Sequence, residues 1–282
     1  MGTLYVVATP IGNLEDVTLR ALRLLREVSL IAAEDTRHTR RLLERYDIRT
    51  RLTSYFEHNK LTKLQAVVGA LEKGDVALVS DAGTPGLSDP GYELIQAALE
   101  AGHQVVPVPG PSAVLSALVV SGLPCDQFTY VGFLPRRPTD RRRLLAELAP
   151  EPRTIVCFEA PHRLVGALED VEAVLGDRQI AVCQELTKLY EAVYRGTAGA
   201  ALEHFERHAP RGEYTLVIGG ARRDRVPASD DEVDVTLRRL LAEGASTRDA
   251  VARAAEELGV ERRALYRRAR ALLQSEEPRG KI

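Results

Sequence analysis

Three glycine- and proline-rich runs carry polar side chains suited to gripping a small ligand: ATPIGNLED at residues 8–16, SDAGTPGLSDPG at residues 80–91 and PVPGPSA at residues 107–113. Their glycines and prolines permit tight turns and close backbone approach, and Asn13, Asp81, Thr84 and Ser112 add hydrogen-bonding side chains. Any one run is equally an ordinary strand-to-helix turn; three in one chain weaken that reading. None matches G-x-x-x-x-G-K-[ST] or G-x-G-x-x-G, which argues against a phosphate cradle. Such loops offer instead carbonyl and amide edges, a carboxylate for a ribose and apolar walls. Those are the groups required by a ligand with an adenosine end and an amino-acid end.

Titratable side chains cluster at other strand ends. AEDTRHT places Glu34, Asp35, Arg37 and His38 just after a strand, where carboxylates accept a proton and cations hold phosphate. The competing explanation is a helix cap, with Asp35 or Thr36 capping and Arg37 and His38 merely solvated. His58, in SYFEHN, is a second candidate base and equally an exposed loop histidine. FEAPHR adds Glu159, His162 and Arg163, although Arg163 also suits the start of the following helix. No single base stands out.

The elements that must position these groups alternate in period. Up to about residue 122, the strand-like runs LYVVAT, SLIAAED, RLTSYF, VALVSD and QVVPVP alternate with helical patterns such as TLRALRLLREV, KLQAVVGALEKG and YELIQAALEAG. Gly74 and Gly102 stand where helix C-caps belong. This is the grammar of an α/β domain, whose ligands gather at the carboxyl ends of the strands. From residue 124 to 152, strand-like FTYVGF, basic LPRRPTDRRR and a short amphipathic helix read as an interdomain connection. A second α/β unit follows, with strands RTIVCFEA, RQIAVCQEL, EAVYRGT and EYTLVIGG around helices near 163–175 and 198–207. RRDRVPASDDEVD then reads as a linker. The expected division is 1–123, 124–221 and 222–282.

The tail lacks strand signals and takes three helical segments, TLRRLLAEG, STRDAVARAAEEL and ERRALYRRARALL. Ala255 stands four positions before Gly259, a spacing that suits the tight turn of a helix-turn-helix. A helical hairpin packed on the body fits the same pattern, but the arginines of the last segment favour nucleic acid.

Composition narrows the function classes. The 282 residues are 45% hydrophobic and 28% charged, with a formal net charge of −2, so there is no global electrostatic case for nucleic-acid binding. RNA contact must rest on local patches, for which the candidates are Arg136, Arg137 and Arg141 in LPRRPTDRRR and Arg262, Arg263, Arg267 and Arg268 in the tail. Cys125, Cys157 and Cys183 read as buried core thiols, with no metal-ligand spacing, so no metal is expected. No apolar stretch approaches the ~20 residues of a membrane span, and a cytoplasmic protein without membrane contact is expected.

Taken in order, ATPIGNLEDVTLRAL, AEDTRHTRRLL, SYFEHN, ALVSDAGTPGLSDPG, VPVPGPSAVLSALVVSGLP, YVGFLPRR, FEAPHR, ELTKLYE and GEYTLVI resemble the ribosomal RNA small subunit methyltransferase I family of the tetrapyrrole-methylase superfamily. The resemblance implies two α/β domains with S-adenosylmethionine in the cleft between them, a helix-turn-helix extension and a homodimer. The implied activity is 2′-O-methylation of a decoding-centre cytidine in 16S rRNA of the small ribosomal subunit, by in-line attack of the ribose oxygen on the sulfonium methyl. It also implies that the donor lies against Pro10, Ile11, Gly12, Asn13, Asp81, Ala82, Gly83, Thr84, Ser112 and Ala113, with Phe158, Leu186 and Tyr214 completing the pocket. The catalytic candidates stay Glu34, Asp35, Arg37, His38, His58 and Glu159. TPIGN departs from the more glycine-rich first loop of most tetrapyrrole methylases, which counts against a porphyrinoid acceptor. Two rivals remain: a methyltransferase acting on a small tetrapyrrole, which leaves the arginine-rich runs without a role, and a ligand-sensing DNA-binding regulator, whereas the family resemblance implies no DNA partner.

Overall fold

The computed structural model describes residues 2–56, 60–221, 229–258, 260 and 262–276. His58 and Gly259 lie outside the described residues. The chain forms two compact units, Met1–Ala221 and Arg222–Ile282.

The first unit holds two five-stranded sheets. In the first sheet β1 (Thr3–Val7), β2 (Leu30–Ala33), β3 (Leu52–Ser54), β4 (Val76–Val79) and β5 (Gln104–Val108) run in the order β3-β2-β4-β1-β5, and every pairing is parallel. Parallel strands need crossover helices, which cover both faces and bury the strands on each side. One face packs Val7, Ile31, Ala77 and Val79 against α1 (Leu19–Glu27) and α2 (Thr36–Arg45). The other packs Leu4, Ala32, Val76 and Leu78 against α3 (Lys60–Leu71) and α4 (Tyr92–Glu100). Gly102 ends α4 in a left-handed conformation, as a C-cap glycine should. Gly74 is not left-handed; its N–H bonds back to Ala70 O over 3.1 Å.

The second sheet is mixed. β6 (Phe128–Phe133), β7 (Thr154–Glu159), β8 (Gln179–Gln184), β9 (Ala192–Thr197) and β10 (Tyr214–Ile218) run in the order β6-β7-β10-β8-β9, with only β6 and β7 parallel. Residues 124–152 are therefore part of this layer and not a connection. FTYVGF is its edge strand, and DRRR belongs to α6 (Pro138–Leu148), which has proline at its first turn. Strand alternation sends Ile155, Cys157, Leu216 and Ile218 toward α6, α7 (Leu164–Leu175) and α8 (Ala198–Arg207). Val156, Ala181, Cys183 and Val217 point the other way, onto Ala117 and Leu118 of α5 (Ala113–Ser121). Thus α5, which follows the first sheet in sequence, buries its apolar side against the second sheet. Cys157 and Cys183 are buried, whereas Cys125 is exposed, contrary to the expectation of three core thiols: it sits in the loop before β6.

The second unit consists of α9 (Asp230–Ala242), α10 (Thr247–Leu258) and α11 (Arg262–Glu276) around a core of Val233, Leu237, Leu240, Val251 and Leu265. A capping box of Ser229 and Glu232 starts α9, so the second half of the expected linker is helical.

Candidate functional site

The strand order explains why distant runs meet. Since β2, β4, β1 and β5 are consecutive neighbours and parallel, the loops that follow them emerge side by side at one edge of the sheet. Backbone bonds tie them together: Thr9 N–H donates to Gly83 O (2.9 Å), and Gly83 N–H donates to Thr9 O (3.0 Å). Asp81 Oδ1 accepts from Asp35 N–H (2.9 Å), while Glu34 Oε2 accepts from Asp81 N–H (3.2 Å). The second sheet supplies the opposite wall through its antiparallel pairing, because the start of β10 lies beside the ends of β7 and β8, with Tyr214 opposite both Glu159 and Gln184.

Between these edges lies a cleft of ≈ 360 Å³. Its first-sheet side carries Ile11, Glu34, the backbone run 81–84, Asp89, Ser112 and Ala113. Its second-sheet side is mainly apolar and aromatic, with Tyr130, Phe133, Phe158, Leu186 and Tyr214, and adds Glu159 and Glu213. Phe158 packs against Tyr130 and Phe133 at ring separations of 5.5 and 5.4 Å. Tyr130 and Phe133 are three residues apart and belong on opposite faces of a regular strand. The irregularity in β6 between them, with Gly132 at φ +70°, brings both to the cleft. The Ser88 and Tyr130 hydroxyls, 2.6 Å apart, join the two walls.

A second cavity of ≈ 300 Å³ adjoins the cleft through Ile11, Asp81, Ala82 and Glu213. Pro10, Gly12, His38, Thr39, Arg41 and Lys188 line it. Gly12 has a steric reason here, since a Cβ would stand 2.4 Å from Lys188 Cγ. Asn13 lines neither space; its side chain caps the short turn Leu14–Asp16, and its N–H donates to Thr187 Oγ1 (3.1 Å).

The carboxyl groups differ in state. Burial pushes Asp89 up to about 7, helped by the nearby Glu34 charge. Glu34 is also raised by burial, and the Asp81 and Asp35 charges add to the effect. Asp35 caps α2 and pairs with the exposed Arg37 (2.7 Å), whose hydrogen bonds hold it far below the usual carboxylate range. Neither Asp35 nor Arg37 lines the cleft or the adjoining cavity, so the capping explanation describes them. Glu159 is raised by burial, and its Oε1 pairs with Arg163 and accepts from Ala160 N–H. Its Oε2 is buried with no hydrogen-bond partner among the described residues. Sequence reading passed over Asp89, Tyr130, Phe133 and Glu213. All four lie in the strand and loop runs SDAGTPGLSDPG, FTYVGF and GEYTLVI, but their convergence on one cleft is not legible in the sequence.

Two arginines expected to meet RNA are engaged within the protein. Arg141 is 5% exposed, donates to Asp170 Oδ2 (2.6 Å) and to Gly166 O (2.9 Å), and joins α6 to α7. Arg268 donates to Asp234 at 2.5 and 3.0 Å and to Asp230 at 3.1 Å, joining α11 to α9. Arg136, Arg137, Arg262, Arg263 and Arg267 are exposed.

The residues fit S-adenosylmethionine. The volume falls within the ~300–1,000 Å³ of small-molecule pockets, one wall is largely aromatic, carboxyl groups stand on both, and Glu159 Oε2 is buried without a partner among the described residues. One all-parallel and one mixed sheet flank this cleft, and the family match places the chain in the tetrapyrrole-methylase class. Residues 3–202 match the family model Tetrapyrrole (Corrin/Porphyrin) Methylases, and residues 227–273 match the RsmI C-terminal HTH domain. The fold is shared with the methyltransferase CobJ (TM-score 0.61, 18% identity, 78% of this chain and 95% of that one). It is shared as well with the uroporphyrin-III-C-methyltransferase of Thermus thermophilus (TM-score 0.55, 23% identity, 78% and 94%). The ribosomal RNA small subunit methyltransferase I of Synechocystis sp. is 48% identical over 269 residues, covering 94% of this chain and 96% of that protein. The protein of the same name from Escherichia coli O157:H7 is 45% identical over 272 residues, covering 94% of each. The chain belongs to the ribosomal RNA small subunit methyltransferase I family.

Proposed function

We propose that the protein transfers a methyl group from S-adenosylmethionine to the 2′-hydroxyl of a cytidine in 16S rRNA of the small ribosomal subunit. The observation that carries this reading is the convergence of four strand-end loops on a carboxyl-bearing cleft with a largely aromatic opposite wall, in a chain whose relatives are named ribosomal RNA small subunit methyltransferase I. The donor, when bound, supplies an electrophilic methyl group. Asp81, Thr84 and Ser112 lie at its polar end in this reading, and Phe158, Leu186 and Tyr214 form its apolar wall. Ser112 also caps α5, which fixes its hydroxyl.

A ribose hydroxyl is a weak nucleophile and must lose its proton. Asp89 is the cleft carboxyl held near neutrality, so it titrates at the working pH and suits the role of proton acceptor. Burial keeps it there, with the Glu34 charge adding to the effect. We further propose a homodimer in the cytoplasm. Leu115 and Val119, one turn apart on α5 and 55% and 74% exposed, are candidate interface side chains, and sedimentation would test them.

With a net charge of −2, the protein cannot rely on general phosphate attraction, and recognition must come from shape. An assembled small subunit holds RNA segments at fixed separation and should be preferred to free RNA. Methyl incorporation from labelled donor into purified small subunits, protein-free 16S rRNA and duplex DNA tests this. Labelling of subunits in ribose is expected; labelling of a base, or none, overturns the reading.

A further inference from the structure

Pro10 and Gly12, expected against the donor, line the cavity beside the cleft and not the cleft itself; of the donor groups proposed above only Asp81 reaches this cavity, yet it is built with polar groups. Its inner wall is α2, which presents buried Thr39 and Leu42, with His38 and Arg41 exposed at the rim. Thr39 is 3% exposed, and its Oγ1 has no hydrogen-bond partner among the described residues. A threonine hydroxyl within a helix commonly bonds back to a carbonyl one turn earlier; here Asp35 O accepts from Thr39 N–H, and the hydroxyl is left over. A buried hydroxyl without a partner is costly, so a partner from the cavity is indicated.

The cations around it are mostly spent: Lys188 is held by Glu185 (2.9 Å) and Glu213 (3.0 Å), and Arg37 pairs with Asp35. Asp81, on the side shared with the cleft, is acidic and accepts from Asp35 N–H, so an anion would have to seat on the α2 side. Arg41 lines the cavity with no carboxylate partner among the described residues. It belongs to a helix, TRHTRRLLER, with four arginines, one histidine and one glutamate. The cavity therefore offers an uncommitted guanidinium and an uncommitted buried hydroxyl, an arrangement matched to the oxygens of a phosphodiester.

We infer that this cavity is a phosphate subsite, in which Arg41 and Thr39 hold a backbone phosphodiester next to the acceptor nucleotide. The inference rests on the reading that the acceptor is RNA. It assigns α2 a positioning role: by fixing a neighbouring phosphate, it sets the ribose against the cleft.

Nuclear magnetic resonance titration of the full chain with cytidylyl-(3′→5′)-cytidine, cytidine and inorganic phosphate tests the site directly. The dinucleotide should bind more tightly than either other probe and perturb the α2 signals. Arg41→Gln should weaken the dinucleotide about tenfold and leave cytidine unchanged. Thr39→Val should weaken it about threefold without lowering Tm, because the lost hydroxyl had no protein partner. No dinucleotide binding, equal binding of cytidine, equal binding of inorganic phosphate, or indifference to Arg41→Gln would each overturn the subsite. Arginine-dependent dinucleotide binding in a protein that fails to methylate small subunits would strike the proposed function alone. Undiminished methylation by Arg41→Gln, with unchanged KM for subunits, would strike the subsite alone.

Discussion

In the first sheet the cleft-facing side chains come from loops that follow strands and from the start of α5, whereas in the second sheet Tyr130, Phe158, Cys183, Tyr214 and Thr215 come from the strands themselves. Parallel strands all end at one edge, so a ligand meets their loops and backbone amides. A mixed sheet brings strand starts beside strand ends, and what reaches the cleft is a row of side chains on one face, Phe158, Cys183 and Thr215, joined by Tyr214 from the start of β10. The difference extends in part to charge. Glu34, Asp81 and Asp89 stand on the first wall, two of them with raised proton affinity. In the second layer Arg141 and Asp170 pair away from the cleft and hold shape, while Glu159, also raised by burial, lines the cleft with one oxygen on Arg163 and the other without a partner among the described residues.

The sharpest way to break this comparison is Arg141→Ala, which leaves the buried Asp170 with the exposed Arg142 as its remaining cationic partner. Losing the Arg141 ion pair and its bond to Gly166 O should cost about 2–3 kcal/mol in denaturant unfolding, whereas Arg136→Ala and Arg137→Ala should each stay within about 0.5 kcal/mol. Equal losses would mean that the charges of LPRRPTDRRR are all surface charges.

Asp89→Asn comes next and acts on rate. It should slow methyl transfer by about 10²-fold with little change in Tm. In the native protein the carboxyl is protonated below about pH 7 and cannot accept a proton, so the rate of transfer should rise with pH and level off above it. Asp89→Asn should lose that rising limb; a variant that keeps it would return the role to Glu34 or to solvent.

Asp81→Ala should weaken donor affinity by about 1–3 kcal/mol, read by calorimetry, since it also releases the N–H of Asp35. An unchanged affinity would remove the first wall from the donor site. The smallest effect concerns the helical unit. Arg268→Ala should leave the salt dependence of binding to small subunits unchanged, because its guanidinium is occupied by Asp234 and Asp230. Arg262→Ala or Arg267→Ala should each lower the slope by about one if those side chains meet phosphate. A changed slope for Arg268→Ala alone would reverse that assignment.

What the amino-acid sequence determined by itself is the local grammar. The change between strand and helix periods, the turn-forming loops at 8–16, 80–91 and 107–113, and the strand-free tail are short-range properties. Periodicity and turn chemistry act within a few residues, so they are readable without the fold. Only the tertiary structure decided which loops become neighbours, because strand order is a matter of long-range pairing. It placed Glu34 beside Asp81 and Tyr214 beside Glu159. It also decided which arginines are free, since Arg137 and Arg141 are alike in sequence, and it is packing against α7, with bonds to Asp170 and to Gly166 O, that buries Arg141 and leaves Arg137 exposed. Asp89 shows the same limit. Its carboxyl belongs to a loop motif, but its proton affinity is set by burial and by Glu34, 55 positions earlier in the chain, and desolvation and charge act through space.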